Sequence, residues 1–314
     1  MKIILCGNSK YLIHAFKGFL KGNFKIQSII TLPKFEQPKN SLDLSKFFKK
    51  KKIVCHVTSN INSKKTFQFI KKSNPDYLFF SWPKIIHKNI FELARCGSIG
   101  SHPTILPANR GRHPLHWTKV MGIKKSGLSF FFLNNKVDDG KIIYKNYFKI
   151  NNEDDINSIE RKVNVLAEKS CYLISQKINN NTLVETNQRK EKINYLRKRN
   201  QSDLIINLKM NFQSIDQLVK SYVRPYDGAI LIINNEILRV SRVCKIKNNS
   251  IGNFEVGKIF KLSRDYIITQ CIDNPIKIFF YKKININNIK SKYIYDPIFY
   301  VCRSQKIKNF FELN

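Results

Sequence analysis

Three of the six histidines lie in the stretch GSIGSHPTILPANRGRHPLHWTKVMG, which runs from Gly97 to Gly122. An imidazole can accept and donate a proton near neutral pH, so His102 in this stretch is a candidate for acid–base chemistry. Further along the chain, Asp138 and Asp139 precede Gly140 and supply two carboxylates. Two acids before a glycine are also common turn formers. Whether these groups can act together depends on the elements that position them.

The first half of the chain alternates short apolar runs with amphipathic stretches, which is typical of parallel strands connected by helices. Strands are predicted for KIILC, KIQSIITL, KIVCHVT and DYLFFSW, and helices for KYLIHAFKGFLK, KKTFQFIKKSN and KIIHKNIFELARCG, the last closed by Gly97. The first turn lacks both the dinucleotide-binding and the P-loop glycine patterns. In an open sheet, ligands bind beyond the carboxyl ends of the strands. The segment SIGSHP lies at such an end, where chemistry is expected of His102.

The middle of the chain predicts a short helix, a strand pair and a long helix. PLHWTKVMG has Pro114 at its first helical position, and GLSFFFLNNKVDDGKIIYKNYFKI reads as two strands joined by a turn at Asp138–Gly140. A capped helix is predicted from Asn152 to about residue 180. We predict an N-terminal domain over residues 1–184 and a polar linker over residues 185–205.

Residues 206–314 predict a second, β-rich domain. One short helix ends before Pro225, and short strands are expected from there to Asn314, including AILIIN, EILRVSRVCKI, GKIFKL, YIITQC and IKIFFY. Strands of this length separated by asparagine- and glycine-containing turns are typical of a small barrel or sandwich.

Composition limits the classes of protein that remain open. The 314 residues carry a formal net charge of +34, but the lysines are spread along the whole length, which suits a compositional bias as well as a binding face. The dense run KFFKKKKI reads as a helix end leading into a strand, with phosphate binding as the alternative. The seven cysteines form no C-x-x-C pair, so neither a disulfide framework nor a metal site is indicated. We expect a cytoplasmic protein without a signal peptide or membrane span.

These residues together resemble the formyltransferase family that includes methionyl-tRNA formyltransferases and sugar N-formyltransferases. The family's H-x-x-x-L-P-x-x-R-G-x-x-P block is similar to His102–Pro114, and its D-x-G to Asp138–Gly140. RKRNQSDLIINL and RPYDGA resemble the family's linker and the start of its C-terminal domain. The resemblance spans nearly the whole chain. It implies an α/β fold with a Rossmann-like parallel sheet in an N-terminal formyltransferase domain, followed by a smaller OB-like barrel.

The resemblance implies transfer of a formyl group from 10-formyl-tetrahydrofolate to a primary amine, without a metal. His102 and Asp138 match the family's catalytic histidine and carboxylate, which would accept the proton and orient the imidazole. Where the family usually has an asparagine that polarises the formyl oxygen, this chain has Gly100, followed by Ser101. Losing one oxyanion donor can cost about a hundred- to a thousandfold in rate. The role is expected to pass to the Ser101 hydroxyl, a backbone N–H or protonated His102; the alternative is a weak or repurposed catalyst.

Ligand-binding residues are carried over from the resemblance in the same way. The pterin is expected against the loop FFSWPKII, with Trp82 and Ile86 as apolar walls. The predicted folate-binding residues are Phe80, Ser81, Trp82, Ile86, Asp139 and Gly140. The predicted substrate-binding residues are Lys10, Leu106, Pro107, Arg110, Gly111 and Arg112, among which the cations would bind a diphosphate.

The identity of the amine that receives the formyl group is inferred from one segment of the chain. The tRNA enzymes carry a long basic insertion where TLPKFEQPKNSLDLSKFF is short and contains Glu36 and Asp43. A nucleotide-linked amino sugar is therefore the predicted substrate. The predicted role is in lipopolysaccharide or other surface-glycan synthesis, and a homodimer is one possible oligomeric state. The alternatives are a methionyl-tRNA formyltransferase and a non-catalytic relative that binds RNA. In that relative, aromatic residues of the C-terminal domain such as Tyr222 and Phe279 would stack on bases.

Overall fold

A computed structural model of the chain describes residues 1–37, 42–234, 236–246 and 254–312. The residues group into two compact units. The first unit comprises Met1–Pro114, Lys124–Ile150 and Ile159–Arg197, and the second comprises Leu115–Ile123, Asn151–Ser158 and Lys198–Asn314. The division into consecutive domains at residues 184 and 205 stays a prediction. Residues 38–41 of the segment used to infer the amine lie outside the described residues.

The first unit is built on a mixed sheet. Strands of this part of the chain are β1 (Lys2–Gly7), β2 (Lys25–Thr31), β3 (Val54–Val57), β4 (Tyr77–Ser81), β5 (Gly97–His102), β6 (Arg110–Gly111), β7 (Lys125–Phe132), β8 (Ile142–Lys149) and β9 (Tyr195–Leu196). The sheet order is β3-β2-β1-β4-β5-β7-β8, and β6 pairs separately with β9. Strands β3 to β5 in this order run parallel, whereas β7 and β8 are antiparallel additions at one edge. This confirms the predicted α/β fold.

Burial explains why these segments form strands. Ile3, Ile4, Leu5 and Cys6 in β1 are each 0% exposed, as expected for a central strand with helices on both faces. Helix α1 (Lys10–Lys21) begins directly after β1 and buries Leu12, Phe16 and Phe19. The chain thus returns over the sheet after each strand, and the carboxyl ends of β4 and β5 meet at one edge.

The remaining helices are short except for one. Their bounds are α2 (Leu44–Lys50), α3 (Lys64–Ser73), α4 (Lys88–Phe91), α5 (Pro114–Val120), α6 (Ile156–Asn179), α7 (Phe212–Lys220), α8 (Pro297–Arg303) and α9 (Gln305–Glu312). Single 3₁₀ turns occur at Lys34–Glu36, Lys190–Lys192, Gln201–Leu204 and Ile286–Asn288. In the described ranges, no helix is long and apolar enough to cross a membrane.

One predicted helix is wrong in length. The stretch KIIHKNIFELARCG forms only α4, a single turn. The N–H groups of Arg95 and Cys96 donate to the backbone oxygens of Pro75 and Asp76, so the chain is already leaving for the sheet. Gly97, predicted to close the helix, instead begins β5 with a φ of 139°.

The second unit carries a separate antiparallel sheet. Its strands are β10 (Ala229–Ile233), β11 (Glu236–Lys245), β12 (Ile259–Leu262), β13 (Tyr266–Gln270) and β14 (Pro275–Phe280). They are ordered β10-β11-β14-β13-β12, and among the described residues no pair joins β12 to β10. The predicted β-rich fold of this part is confirmed.

The expectation of strands up to the carboxyl terminus is wrong. Helices α8 and α9 follow the last strand. The Asp296 carboxylate accepts the N–H of Ile298 at 3.1 Å and Pro297 occupies the first turn, which together start a helix. The aromatic and β-branched residues of this segment made it read as a strand.

Candidate active site

A cleft of about 440 Å³ opens at the carboxyl ends of β4 and β5. Its walls come from the loop after β4, the end of β5, the β6 segment and the turn between β7 and β8. The lining residues are Phe80, Trp82, Pro83, Lys84, Ile85, Ile86, Phe91, Gly100, Ser101, His102, Gly111, Arg112, Phe131, Leu133, Asn134, Asn135, Lys136, Val137 and Asp138. The cleft therefore lies at the sheet edge where an open α/β fold binds its ligands.

His102 and Asp138 meet in this cleft. Nδ1 of His102 lies 3.5 Å from Oδ2 of Asp138, and the two side chains are 6% and 16% exposed. Nε2 of His102 lies 2.8 Å from the backbone oxygen of Asn109. A carbonyl oxygen only accepts hydrogen bonds, so Nε2 must carry a proton. Nδ1 is then the nitrogen that can take up a proton beside the carboxylate.

The Asp138 carboxylate is held by the backbone of the opposite loop. Asp138 has a left-handed φ of 54°, and its Oδ2 accepts the N–H of Gly111 at 3.0 Å. The amide of Gln188 donates to the backbone oxygens of both Asp138 and Gly140, at 2.8 Å each. These bonds fix the turn on both sides, so the carboxylate is oriented before any ligand binds.

A buried arginine supports the same turn. Arg110 is 1% exposed, and its guanidinium reaches Oδ1 of Asp139 at 2.7 Å and Oε1 of Gln188 at 2.7 Å. It also donates to the hydroxyl of Tyr195 at 3.1 Å. Both terminal nitrogens of the buried guanidinium are paired in this way, whereas its Nε has no partner among the described residues. Arg110 and Asp139, predicted to bind substrate and folate, thus lie in the support behind the cleft rather than in its lining.

Close packing requires glycine at Gly140. A Cβ added there would collide with the backbone oxygen of Phe132, which cannot move without displacing β7. Gly111 has a φ of 100°, and a Cβ there would collide with the backbone oxygen of Leu196. Both positions therefore need glycine for the two loops that carry Asp138 and its partner N–H.

Neighbouring side chains fill the space beside Gly100, the position at which the family usually has an asparagine. A Cβ on Gly100 would meet Cδ2 of Leu133 and Cζ of Phe131 at 2.8 Å each. These two side chains therefore occupy the space of a larger residue. The neighbouring Ser101 lies beside Tyr11, whose buried hydroxyl has no hydrogen-bond partner among the described residues, and burial raises the pKa of Tyr11 well above its usual value. The Ser101 hydroxyl thus has a second neighbour besides any ligand.

The other predicted residues divide between the cleft and its surroundings. Phe80, Trp82 and Ile86 line the cleft, as do Gly111 and Arg112. Five predicted residues lie outside this lining. Ser81 ends β4, Lys10 is exposed at the start of α1, and Gly140 is packed against β7. Leu106 and Pro107 line a different cavity. The indole nitrogen of Trp82 is buried without an acceptor among the described residues.

Gln188, Tyr195 and Asn109 were missed by sequence reasoning. The first two lie in the polar stretch interpreted as a linker, and Asn109 contributes a backbone oxygen, which no side-chain pattern reveals. No local spacing signal marks any of them.

Restoring the family's asparagine should not restore an oxyanion donor. We expect Gly100→Asn to lower the free energy of unfolding by about 1–3 kcal/mol, because the new side chain overpacks against Leu133 and Phe131. Urea denaturation measures this change, and formyl transfer should not accelerate. A faster enzyme of unchanged stability would contradict this reading of the packing.

Removing the Gln188 amide should disturb the Asp138 turn. Gln188→Leu leaves two carbonyl oxygens and one guanidinium nitrogen without their partner. We expect kcat to fall roughly tenfold or more, which corresponds to a loss of about 1.4 kcal/mol or more of transition-state stabilisation. The KM for folate should change less. Steady-state kinetics measure both constants. Gln213→Leu, an exposed glutamine in α7, is the matched control and should behave as wild type.

Known proteins share this sequence pattern and fold. Residues 4–176 match the family described as formyl transferase, and residues 198–291 match the formyl transferase C-terminal domain. Among curated relatives, methionyl-tRNA formyltransferases predominate. That of Prochlorococcus marinus (strain AS9601) is 24% identical over 287 residues, covering 87% of this chain and 87% of the relative.

Two solved structures are similar in fold. WlaRD, a sugar 3N-formyl transferase in the presence of dTDP and 5-N-formyl-THF, has a TM-score of 0.67 and 19% identity, covering 90% of this chain and 99% of its own. The N-formyltransferase from Helicobacter canadensis, in complex with folinic acid and dTDP-3-aminofucose, has a TM-score of 0.68 and 18% identity, covering 90% and 100%. The match over residues 4–176 alone spans more than half of the 314 residues, so this chain belongs to the formyl transferase family.

Proposed function

We propose that this chain transfers a formyl group from 10-formyl-tetrahydrofolate to the primary amine of a nucleotide-linked amino sugar. The observation that carries the proposal is the His102–Asp138 pair, 3.5 Å apart in the wall of an accessible cleft. Support for the amino sugar comes from two proteins of the same fold, one in the presence of dTDP and one with dTDP-3-aminofucose. Cytoplasmic location and the oligomeric state remain predictions.

The cleft fits a folate formyl donor. Phe80, Trp82 and Ile86 supply apolar surface for the pterin. WlaRD was solved in the presence of 5-N-formyl-THF, and the Helicobacter canadensis enzyme was solved with folinic acid. Both ligands agree with a folate donor.

The pair accounts for the proton in the reaction. The amine nitrogen attacks the formyl carbon, a new C–N bond forms, and the bond from the formyl carbon to the folate nitrogen breaks. Nδ1 of His102 takes the proton that the amine loses, since Nε2 is committed to the oxygen of Asn109. Asp138 stabilises the resulting imidazolium at 3.5 Å, and the proton then passes to the departing folate nitrogen.

Negative charge on the formyl oxygen needs donors from the cleft. Gly100 offers no side chain, and the N–H of Gly111 is already used by Asp138. The Ser101 hydroxyl is the donor that we assign to the oxygen, because Nε2–H of His102 is bonded to Asn109 and Nδ1–H lies beside Asp138. Ser101 lines the cleft, which places this residue next to a bound ligand.

The test is a substrate panel. The protein is incubated with 10-formyl-tetrahydrofolate and a set of UDP- and dTDP-linked amino sugars, and mass spectrometry detects the gain of one carbonyl unit. We expect at least one sugar to be formylated by wild type and none by His102→Ala. Absence of product with every amino sugar, while methionyl-tRNA is formylated, would overturn the proposal.

The second candidate is methionyl-tRNA. It is favoured by the sequence relatives, such as the methionyl-tRNA formyltransferase that is 24% identical over 87% of this chain, and by the net charge of +34. Including methionyl-tRNA in the same panel separates the two. Salt-sensitive retention of tRNA without formylation of any amine would instead favour a non-catalytic RNA-binding protein.

A further inference from the structure

The chain at β9 runs alongside the loop that forms one wall of the cleft. Strand β9 pairs in parallel with β6. The backbone N–H groups of Arg110 and Arg112 donate to the backbone oxygens of Asn194 and Leu196, at 3.1 and 2.9 Å. Both acceptors lie within residues 177–197, between the two stretches that match the family. This contact is therefore not part of the motif block that contains the catalytic histidine.

Asn194 and Asn109 form a reciprocal amide pair, which we call the Asn pair. Oδ1 of Asn194 accepts the backbone N–H of Asn109 at 2.6 Å, and its Nδ2 donates to Oδ1 of Asn109 at 2.9 Å. A backbone N–H only donates, so the atom of Asn194 that faces it must be the oxygen. Turning either amide over alone would place two donors or two acceptors against each other. The two amides therefore fix each other's orientation.

The Asn pair holds a residue in a left-handed conformation. Asn109 has a φ of 61°, which asparagine tolerates better than most residues other than glycine. In this conformation its backbone oxygen lies 2.8 Å from Nε2 of His102. The Thr104 hydroxyl reaches the same oxygen at 3.4 Å but lies closer to the oxygen of Ala108, at 2.9 Å. Asn194 thus holds both the backbone and the side chain of the residue to which His102 donates.

The carbonyl of Asn109 decides which nitrogen of His102 is basic. While Nε2–H has this acceptor, Nδ1 keeps its lone pair beside Asp138. If the carbonyl turned away, Nε2–H would lose its acceptor, and the proton would gain a partner by moving to Nδ1, where the carboxylate accepts it. The basic nitrogen would then be Nε2, on the side of the ring away from the Asp138 contact. A histidine in that tautomer is the wrong base for the amine.

We propose that Asn194 is a positioning residue, which selects the catalytic tautomer of His102 by holding the Asn109 carbonyl in place. This rests on the proposed formyl transfer and adds to it a residue from outside the family's motifs. Asn194 is exposed and does not line the cleft, so its removal takes no contact away from a ligand. Water can replace the lost bonds at the surface, so the fold should tolerate the change.

The first test is kinetic. Asn194→Ala should lower kcat for formyl transfer about three- to tenfold, with at most about a twofold change in either KM. The effect is moderate because the backbone bond from Arg110 to position 194 remains. Asn194→Asp should recover most of the turnover. Its carboxylate still accepts the N–H of Asn109, and the Asn109 amide can turn over to donate to it.

The control is Asn180→Ala, at an exposed position directly after α6 and outside the cleft lining. It should retain wild-type kcat. Asn194→Ser, whose side chain is one bond shorter than that of asparagine, should behave like Asn194→Ala and replaces it if the alanine variant does not fold. The thermal unfolding midpoint of each variant verifies that it is folded.

The second test does not depend on turnover. In protein labelled with ¹⁵N-histidine, the imidazole ¹⁵N chemical shifts report which ring nitrogen carries the proton. The spectrum is recorded at a pH at which the ring is neutral, and the His102 signals are those missing from His102→Gln. We expect the Nε2–H tautomer in wild type and in Asn194→Asp. Asn194→Ala should show a mixture that contains the Nδ1–H tautomer.

An unchanged Nε2–H tautomer in folded Asn194→Ala would overturn the proposal, whatever its kcat, since the residue would then support the loop without selecting the tautomer. An Nδ1–H tautomer in wild type would also overturn it, and so would a loss confined to KM. If no amine is formylated but the tautomer changes in Asn194→Ala, the proposed function fails and the role of Asn194 stands. If amines are formylated and the tautomer does not change, only this role fails.

Discussion

His102→Gln should lower kcat for formyl transfer by about 10²- to 10⁴-fold, the usual contribution of a positioned acid–base group. Glutamine can still donate to the oxygen of Asn109, but it has no atom that takes up the amine proton as Nδ1 does. Single-turnover assays with saturating folate measure this step directly. The change should fall mainly on kcat, because His102 is 5% exposed and offers a ligand little surface to bind.

The control for this variant is His87→Gln. His87 is exposed and precedes α4, and it does not line the cleft. It should retain wild-type turnover. A His102→Gln protein that is folded and within a few-fold of wild-type kcat would show that another group accepts the proton.

Asp138→Asn should produce a loss of similar size, about 10²- to 10⁴-fold in kcat. The amide keeps the shape of the carboxylate and can still accept the N–H of Gly111 through its oxygen. It removes the negative charge 3.5 Å from Nδ1, so the imidazolium formed during attack is no longer stabilised. Rapid-quench kinetics with one turnover separate this step from product release.

Two comparisons sharpen the result. Asp265→Asn, at an exposed position of the second unit, should leave turnover unchanged. The double variant His102→Gln, Asp138→Asn should be little slower than either single variant, because the two groups act as one unit. Additive losses would mean that they act in separate steps.

The sheet and the position of His102 are predictable from the sequence because they depend on local patterns. Buried runs such as KIILC alternate with amphipathic helices, and this alternation alone places the carboxyl ends of strands at one edge. The distance between His102 and Asp138 is a different matter. This distance depends on the antiparallel pairing of β5 with β7. The spacing of the two motifs along the chain predicts the contact only through the resemblance to a family.

The support behind the cleft is not predictable in the same way. Arg110 looks like a phosphate ligand because Arg-Gly-Arg is basic, but only the structure shows that it is buried against Asp139 and Gln188. Gln188 comes from a stretch whose composition resembles a linker. Its bonds join residues about fifty positions apart, so no short-range pattern carries them.

The errors at α4 and in the carboxyl-terminal segment have local causes. At α4, hydrogen bonds from Arg95 and Cys96 to the loop before β4 overrode helix propensity. In the last segment, the caps at Asp296 and Pro297 outweighed the strand propensity of the aromatic residues that follow.

The packing around Gly100 makes that position epistatic. Phe131 and Leu133 fill the volume that an amide side chain at position 100 would need. Substituting Gly100 by asparagine alone would overpack the site, and shortening Phe131 or Leu133 alone would leave a cavity. Mutational libraries that vary one codon at a time would score the asparagine as deleterious and miss any benefit. Combinatorial variation of positions 100, 131 and 133 tests whether an asparagine donor is compatible with this packing.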